Sequence, residues 1–197
     1  MCSVIGFAGE YDRETLDDVF KYSRIRGLHA FGYAYCKDEV VIVKKFFKYE
    51  HFINSIHKTK PNKFISHFRY STSGDHKVLG NNQPLKNGDE ALVFNGVVSQ
   101  MTLDEMKKAY TCHFGSDNDG WILFDLFDSL KDIRGGKLTY AAIMIRKSKI
   151  IAVRNKKRPL WYGSKNGNTI IASTLDILKR SNVDEVAELK CNVYYKW

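Results

Sequence analysis

Short apolar runs of strand character recur along the chain: SVIGFA, AFGYAYC, EVVIVKKFF, KFISHFRY and ALVFNGVV fill most of the first half. Each is rich in β-branched or aromatic residues. Polar amphipathic stretches separate several of them, which gives an α+β pattern. DRETLDDVFKYSRI sets Leu16, Val19, Phe20 and Ser23 on one helical face with Asp12 placed to cap it, so a surface helix is predicted there. TLDEMKKAY offers a second helix with Thr102 and Glu105 in capping-box spacing, and DGWILFDLFDSLKDI is apolar enough for a buried third. Beyond a turn at Gly135-Gly136, the runs LTYAAIMIR, KIIAVRN, PLWYG and NTIIAST read as an antiparallel meander. Proline occurs at 61, 84 and 159 without forming a hinge, and no repeat or low-complexity linker appears. The 197 residues, 44% of them hydrophobic, are therefore expected to form one domain over 1–197.

The chain has no apolar run of ~18 residues to span a bilayer, and MCSVIGFAG leads into acidic, polar sequence rather than a small-residue cleavage site. A cytoplasmic protein with no membrane association is expected. Cys2, Cys36, Cys112 and Cys191 have no CxxC spacing, which argues against a zinc cluster or a dense disulfide scaffold. The histidines lack HxxxH or HExxH spacing, His67 reads as structural, and Cys112 and His113 would point to opposite faces of a strand. No glycine-rich phosphate loop is present. Neither a metal nor another cofactor is expected. The net charge of +9 includes KKFFK at 44–48 and RNKKR at 154–158. Such runs serve as solvated loops or strand edges, or attract an acidic partner; nucleic acid is conceivable through this basic surface alone.

Cys2 stands directly after the initiator methionine and at the start of an apolar strand. Removal of Met1 would leave it with a thiol and a free α-amine, whose ordinary pKa near ~8 suits it to accept the thiol proton while sulfur attacks a carbonyl. A buried strand cysteine that happens to be second is the alternative.

The rest of the chain bears on that choice. MCSVIGFAG resembles the MCGIVG-type opening of the class II glutamine amidotransferases, and RGLHAFG at 26–32 is similar to their RGxDSxG segment. SHFRYSTSG at 66–74 and NNQP at 81–84 resemble the GHxRYSTxG and NxQP pair of the amidophosphoribosyltransferase branch. FNGVV at 94–98 is similar to HNGxI, GSDND at 115–119 to SDSE or TDTE, and RPLWYG at 158–163 with IAST at 171–174 to the late PLxxG and ASE elements. The resemblance covers most of the chain, in the same order and with compatible spacing.

The resemblance implies a four-layer αββα sandwich of two antiparallel sheets, the N-terminal nucleophile hydrolase type, with Cys2 as nucleophile. It assigns Asn95 and Gly96 to an oxyanion hole, although Asn-Gly between apolar runs is equally a hairpin signal. Arg69 would take the α-carboxylate of L-glutamine and Asp117 its α-ammonium; a surface ion pair and a helix cap are the plainer roles for these two. Thr72 would line the pocket, with Ser73 and Arg26 in support. Ser3, His29 and Ala30 depart from the family pattern around the nucleophile.

The function so implied is a glutaminase that releases ammonia through a Cys2 thioester and supplies a separate synthase or synthetase subunit, no synthase domain being recognised in 1–197. An amidase for another small amide, or a non-catalytic regulatory or binding module with the same fold, are the alternatives.

Overall fold

The structure, a computed structural model, describes residues 1–71, 75–132 and 138–197. Thr72, Ser73 and the Gly135-Gly136 turn lie outside the described residues.

Strand β1 (Ser3–Ala8) runs through the middle of a seven-stranded sheet. On one side it pairs with β4 (Lys63–Arg69), followed by β2 (Ala30–Lys37) and β3 (Val40–Phe46). On the other lie β10 (Asn168–Ala172), β9 (Trp161–Lys165) and β11 (Asp184–Glu188). A second sheet runs from β5 (Leu85–Asn87) through β6 (Glu90–Val97), β7 (Thr139–Arg146) and β8 (Lys149–Arg154) to β12 (Tyr195–Lys196). All these pairings are antiparallel.

Strand alternation sorts the side chains into layers. Val4, Ala34 and Ile65 of the first sheet meet Ala91, Val93 and Ile143 of the second in a shared apolar layer. On the far face of the first sheet, Ile5, Phe7, Phe64 and Phe68 pack beneath helix α1 (Arg13–Arg24) and helix α2 (Tyr49–Thr59), which contribute Leu16, Phe20, Phe52 and Ile56. The outer face of the second sheet, with Leu92, Phe94 and Met144, is covered by Leu123, Phe127 and Leu130 from helix α4 (Ile122–Leu126) and the 3-10 turn after it. The layers are helix, sheet, sheet, helix, as the resemblance implied. Among the described residues no helix is long and apolar enough to cross a membrane.

Local chemistry sets several boundaries as expected. Asp12 caps α1 by accepting the Thr15 N–H at 3.1 Å, and helix α3 (Leu103–Ala109) starts on the reciprocal Thr102–Glu105 capping box. The β2–β3 turn at Asp38-Glu39, with φ of 49° and 64°, and the β7–β8 turn at Lys147-Ser148, with 48° and 57°, are left-handed at both central positions, as tight hairpins require.

Three expectations are revised. Helix α2 went unforeseen because its N-cap, Lys48, makes no side-chain capping bond; what holds the helix is Phe52 and Ile56 in the core. The apolar run after Asp119 is not one helix but a 3-10 turn (Asp119–Trp121), the five residues of α4 and a second 3-10 turn. The supposed meander divides: β7 and β8 form a hairpin in the second sheet, whereas β9 and β10 form one in the first.

His67 lies on the inner face of β4 with Ile65, 1% exposed, and its Nε2 has no hydrogen-bond partner among the described residues. Burial, reinforced by Arg69 and Lys45, pushes its pKa from 6.5 down to about 3. Below pH 6.5 the unfolded chain binds a proton that the folded chain refuses, so this group's contribution to stability is lost as pH falls from 6.5 toward 3. Stability of the wild type against urea should therefore fall more steeply as pH drops between those values than that of His67→Gln; identical pH profiles would show that His67 is not held neutral.

Candidate active site

Cys2 precedes β1 by one residue and shares its parity with Val4, so it belongs to the inner, inter-sheet face. The β1–β4 register sets Ser3 opposite Phe68 and Val4 opposite His67; one step further along the same register Cys2 faces Arg69. Arg69 in turn pairs with Ala30 at the start of β2. These strand ends open into a cleft of about 440 Å³ whose lining includes Cys2, Arg69, Tyr70, Gly96, Asp117 and Asp119.

The Cys2 thiol is half-buried and donates to the Tyr70 carbonyl at 3.6 Å, while Arg26 Nε donates to the Cys2 carbonyl at 3.3 Å. Gly27 lets this arm lie flat on β4: a Cβ there would fall 2.3 Å from Phe68 O and 2.8 Å from Arg69 N. Burial lowers the pKa of both the Arg26 and Arg69 guanidiniums, and a negative charge on Cys2 opposes the shift in each. Two cations thus sit within electrostatic reach of the sulfur.

Arg69 is 7% exposed. Its Nη1 donates to Asn81 O at 2.8 Å and to Asn82 Oδ1 at 2.6 Å. The same Asn81 carbonyl accepts from Asn118 Nδ2 at 2.9 Å, and Asn81 Oδ1 accepts the Asp117 N–H at 3.2 Å. A single buried asparagine therefore joins the strand end bearing Arg69 to the loop bearing Asp117. The Asp117 side chain is exposed on the cleft, and it is Asn118, through its bond to the Gly120 N–H, that caps the 3-10 turn. The capping alternative for Asp117 is thereby excluded.

Asn95 and Gly96 form no hairpin. They lie within β6, opposite Ala141 and Tyr140, and Asn95 is buried. The close approach of β7 requires the glycine, since a Cβ on Gly96 would lie 1.9 Å from Thr139 O. Tyr140 directs both its N–H and its C=O to Asn155, on the β8 side. Gly96, opposite it, must then turn its own N–H toward the other edge of β6. On that edge the preceding N–H of the same parity, Phe94, is taken by Gln83 Oε1 at 2.6 Å. The Gly96 N–H comes next, past the end of β5, and faces the cleft. Asn95 shares its parity with Ala91 and Val93 of the inner layer and is not among the residues that line the cleft.

Asp119, two residues beyond Asp117, holds the strand exit: its Oδ2 accepts the N–H groups of Val98 at 2.6 Å and Ser99 at 3.0 Å. Burial raises its pKa despite these bonds. Asn82, Gln83 and Tyr70 also went unassigned. The NNQP motif marked the first two, but nothing in the sequence says which backbone group each side chain will meet.

Of the three departures from the resembled pattern, His29 alone makes a side-chain hydrogen bond among the described residues. His29 Nδ1 accepts the Ser71 N–H at 2.9 Å, and its ring stacks between Tyr70 and His76 at 5.0 and 4.7 Å, so it fixes the segment supplying the carbonyl that faces Cys2. Ala30 is buried beside Arg69. Ser3 is buried on the face of β1 turned away from the cleft. No three His, Cys, Asp or Glu side chains among the described residues gather as a metal site.

No protein-family model matches the chain, and no curated protein matches it. Solved structures do. Glutamine phosphoribosylpyrophosphate amidotransferase of B. subtilis, complexed with ADP and GMP, aligns with 100% of this chain and 49% of its own at 18% identity and a TM-score of 0.64. An allosteric regulatory enzyme of purine biosynthesis aligns over 100% and 48% at 19% identity and a TM-score of 0.70. A glutamine aminotransferase class-II domain protein from Silicibacter pomeroyi aligns over 99% and 94% at 13% identity and a TM-score of 0.66. The chain thus spans about half the length of the first two and nearly all of the third. At these identities the likeness concerns architecture: the chain has the N-terminal nucleophile sandwich fold of a class II glutamine amidotransferase domain.

Proposed function

We propose that this chain hydrolyses the side-chain amide of L-glutamine and passes the ammonia to a separate synthase or synthetase subunit. The observation that supports this best is the meeting, in one cleft, of the Cys2 thiol, the Arg69 cation, the Asp117 carboxylate and the outward N–H of Gly96. A zwitterionic amino acid presents a carboxylate and an ammonium, and Arg69 and Asp117 offer the complementary pair.

Met1 must first be removed, because it holds the Cys2 nitrogen in a peptide bond. The freed amine takes the thiol proton, sulfur bonds to the amide carbon, and the carbonyl π electrons move onto oxygen. The oxyanion receives hydrogen bonds from Gly96 N–H and the Asn95 side chain. As it collapses, the carbon–nitrogen bond breaks, the proton taken up by the Cys2 amine goes to the departing nitrogen, and ammonia leaves a Cys2 thioester. Water, deprotonated by the same amine, then cleaves the thioester to glutamate and regenerates the thiol.

A partner over the mouth would keep ammonia from solvent. Tyr70, Val97 and Met101 are exposed on the cleft lining, apolar surface of the kind that interfaces cover. With Met1 retained the same cleft lacks its base, which is the condition that favours the non-catalytic alternative.

Steady-state glutaminase kinetics separate the roles. Asn95→Ala should lower kcat about 10²- to 10³-fold with KM little changed. Asp117→Asn and Arg69→Met should raise KM, each by about 10- to 100-fold. Full activity in Cys2→Ala, or an unaltered KM in both recognition variants, would refute the proposal.

A further inference from the structure

At the other end of the first sheet lies a larger cleft of about 800 Å³, lined by Lys37, Lys44, Lys58, Lys60 and Lys63 together with hydroxyl groups such as Ser55, and by no carboxylate. The lysines come from separate elements: the end of β2, the middle of β3, the last turn and cap of α2, and the start of β4. None of them forms an ion pair among the described residues. Lys58 and Lys60 are accounted for by the negative end of the α2 dipole. Lys37, Lys44 and Lys63 are on strands and have no such reason to converge, and cations gathered around one concavity repel unless an anion joins them.

Lys44 is also fixed in place. Its Nζ donates to Thr59 Oγ1 at 3.2 Å and lies over the rings of Tyr33 and Tyr35 at 5.8 and 6.0 Å from their centroids. Tyr33 is fully buried and Tyr35 nearly so, and neither ring offers an open face on which a base would stack. What remains is a set of convergent point charges and hydroxyls, matched to a compact, highly charged anion and indifferent to any base attached to it.

We propose that this cleft binds a polyphosphate chain, free or as part of a nucleotide. It is separate from the cleft at Cys2, because Lys63 and Arg69 are the two ends of β4, about 20 Å apart at the rise of a strand.

Calorimetric titration of the full chain with inorganic tripolyphosphate, with ATP and with a single-stranded oligonucleotide tests this directly. Tripolyphosphate and ATP should bind one per chain with similar affinity. Lys37→Gln/Lys63→Gln should weaken both by about tenfold or more, whereas Lys107→Gln/Lys108→Gln, which removes the same charge from α3, should leave both unchanged. Preference for ATP over tripolyphosphate would show base recognition and contradict the assignment. Equal weakening by the two double variants would reduce the effect to overall charge, and the absence of polyphosphate binding, or a preference for the oligonucleotide, would overturn the proposal.

Discussion

Asn81 is the joint on which the site turns. A guanidinium as buried as Arg69 must find acceptors or lose the advantage of its charge, and it finds them in the Asn81 carbonyl and the Asn82 side chain. Hydrogen bonds to charged groups contribute roughly 1.5–3 kcal/mol each, enough to hold the side chain in one orientation. Because Asn81 also binds the Asp117 N–H and the Asn118 amide, the geometry that orients the cation also places the carboxylate. Glutamine recognition, in the function proposed, depends on this link between two segments distant in sequence.

The Cys2 end of the cleft is built on the same economy of contacts. Arg26 grips the Cys2 carbonyl, Gly27 allows the arm to touch β4, and His29 anchors Ser71 just past the Tyr70 carbonyl that faces the thiol. Lys45, whose Nζ reaches the Leu79 carbonyl at 3.4 Å, is pushed down to about 8 by burial and by Arg69. The cations behind the cleft therefore crowd one another, and the anionic groups proposed to form or bind there, a thiolate and a carboxylate, would relieve that crowding. The lysine cleft at the opposite end of β4 repeats the situation in a more solvated setting.

Much of this was legible in sequence where the chemistry is local. Asp12 and the Thr102–Glu105 pair announced their helices because capping is decided within four residues. Cys2, Arg69 and Asp117 were marked by motifs. What escaped was set by contacts between distant segments. Nothing near Lys48 signals a helix start, and α2 exists because Phe52 and Ile56 have a sheet to cover. Asn95-Gly96 has the composition of a turn, but pairing with β7 draws it into a strand and exposes the Gly96 N–H at an edge. Asp119 shares the GSDND motif with Asp117, and what separates their roles is the fold, which brings Val98 and Ser99 to the Asp119 carboxylate.

In the function proposed, Cys2 is a glutamine-directed nucleophile bearing a free amine. Peptide mass spectrometry of the purified protein, before and after exposure to a glutamine-mimicking diazoketone, addresses it most directly. The expected product has an N-terminus that begins at Cys2 and carries the alkyl adduct there, with glutamine slowing the labelling. A retained Met1, or a free Cys2 that never reacts, would contradict it.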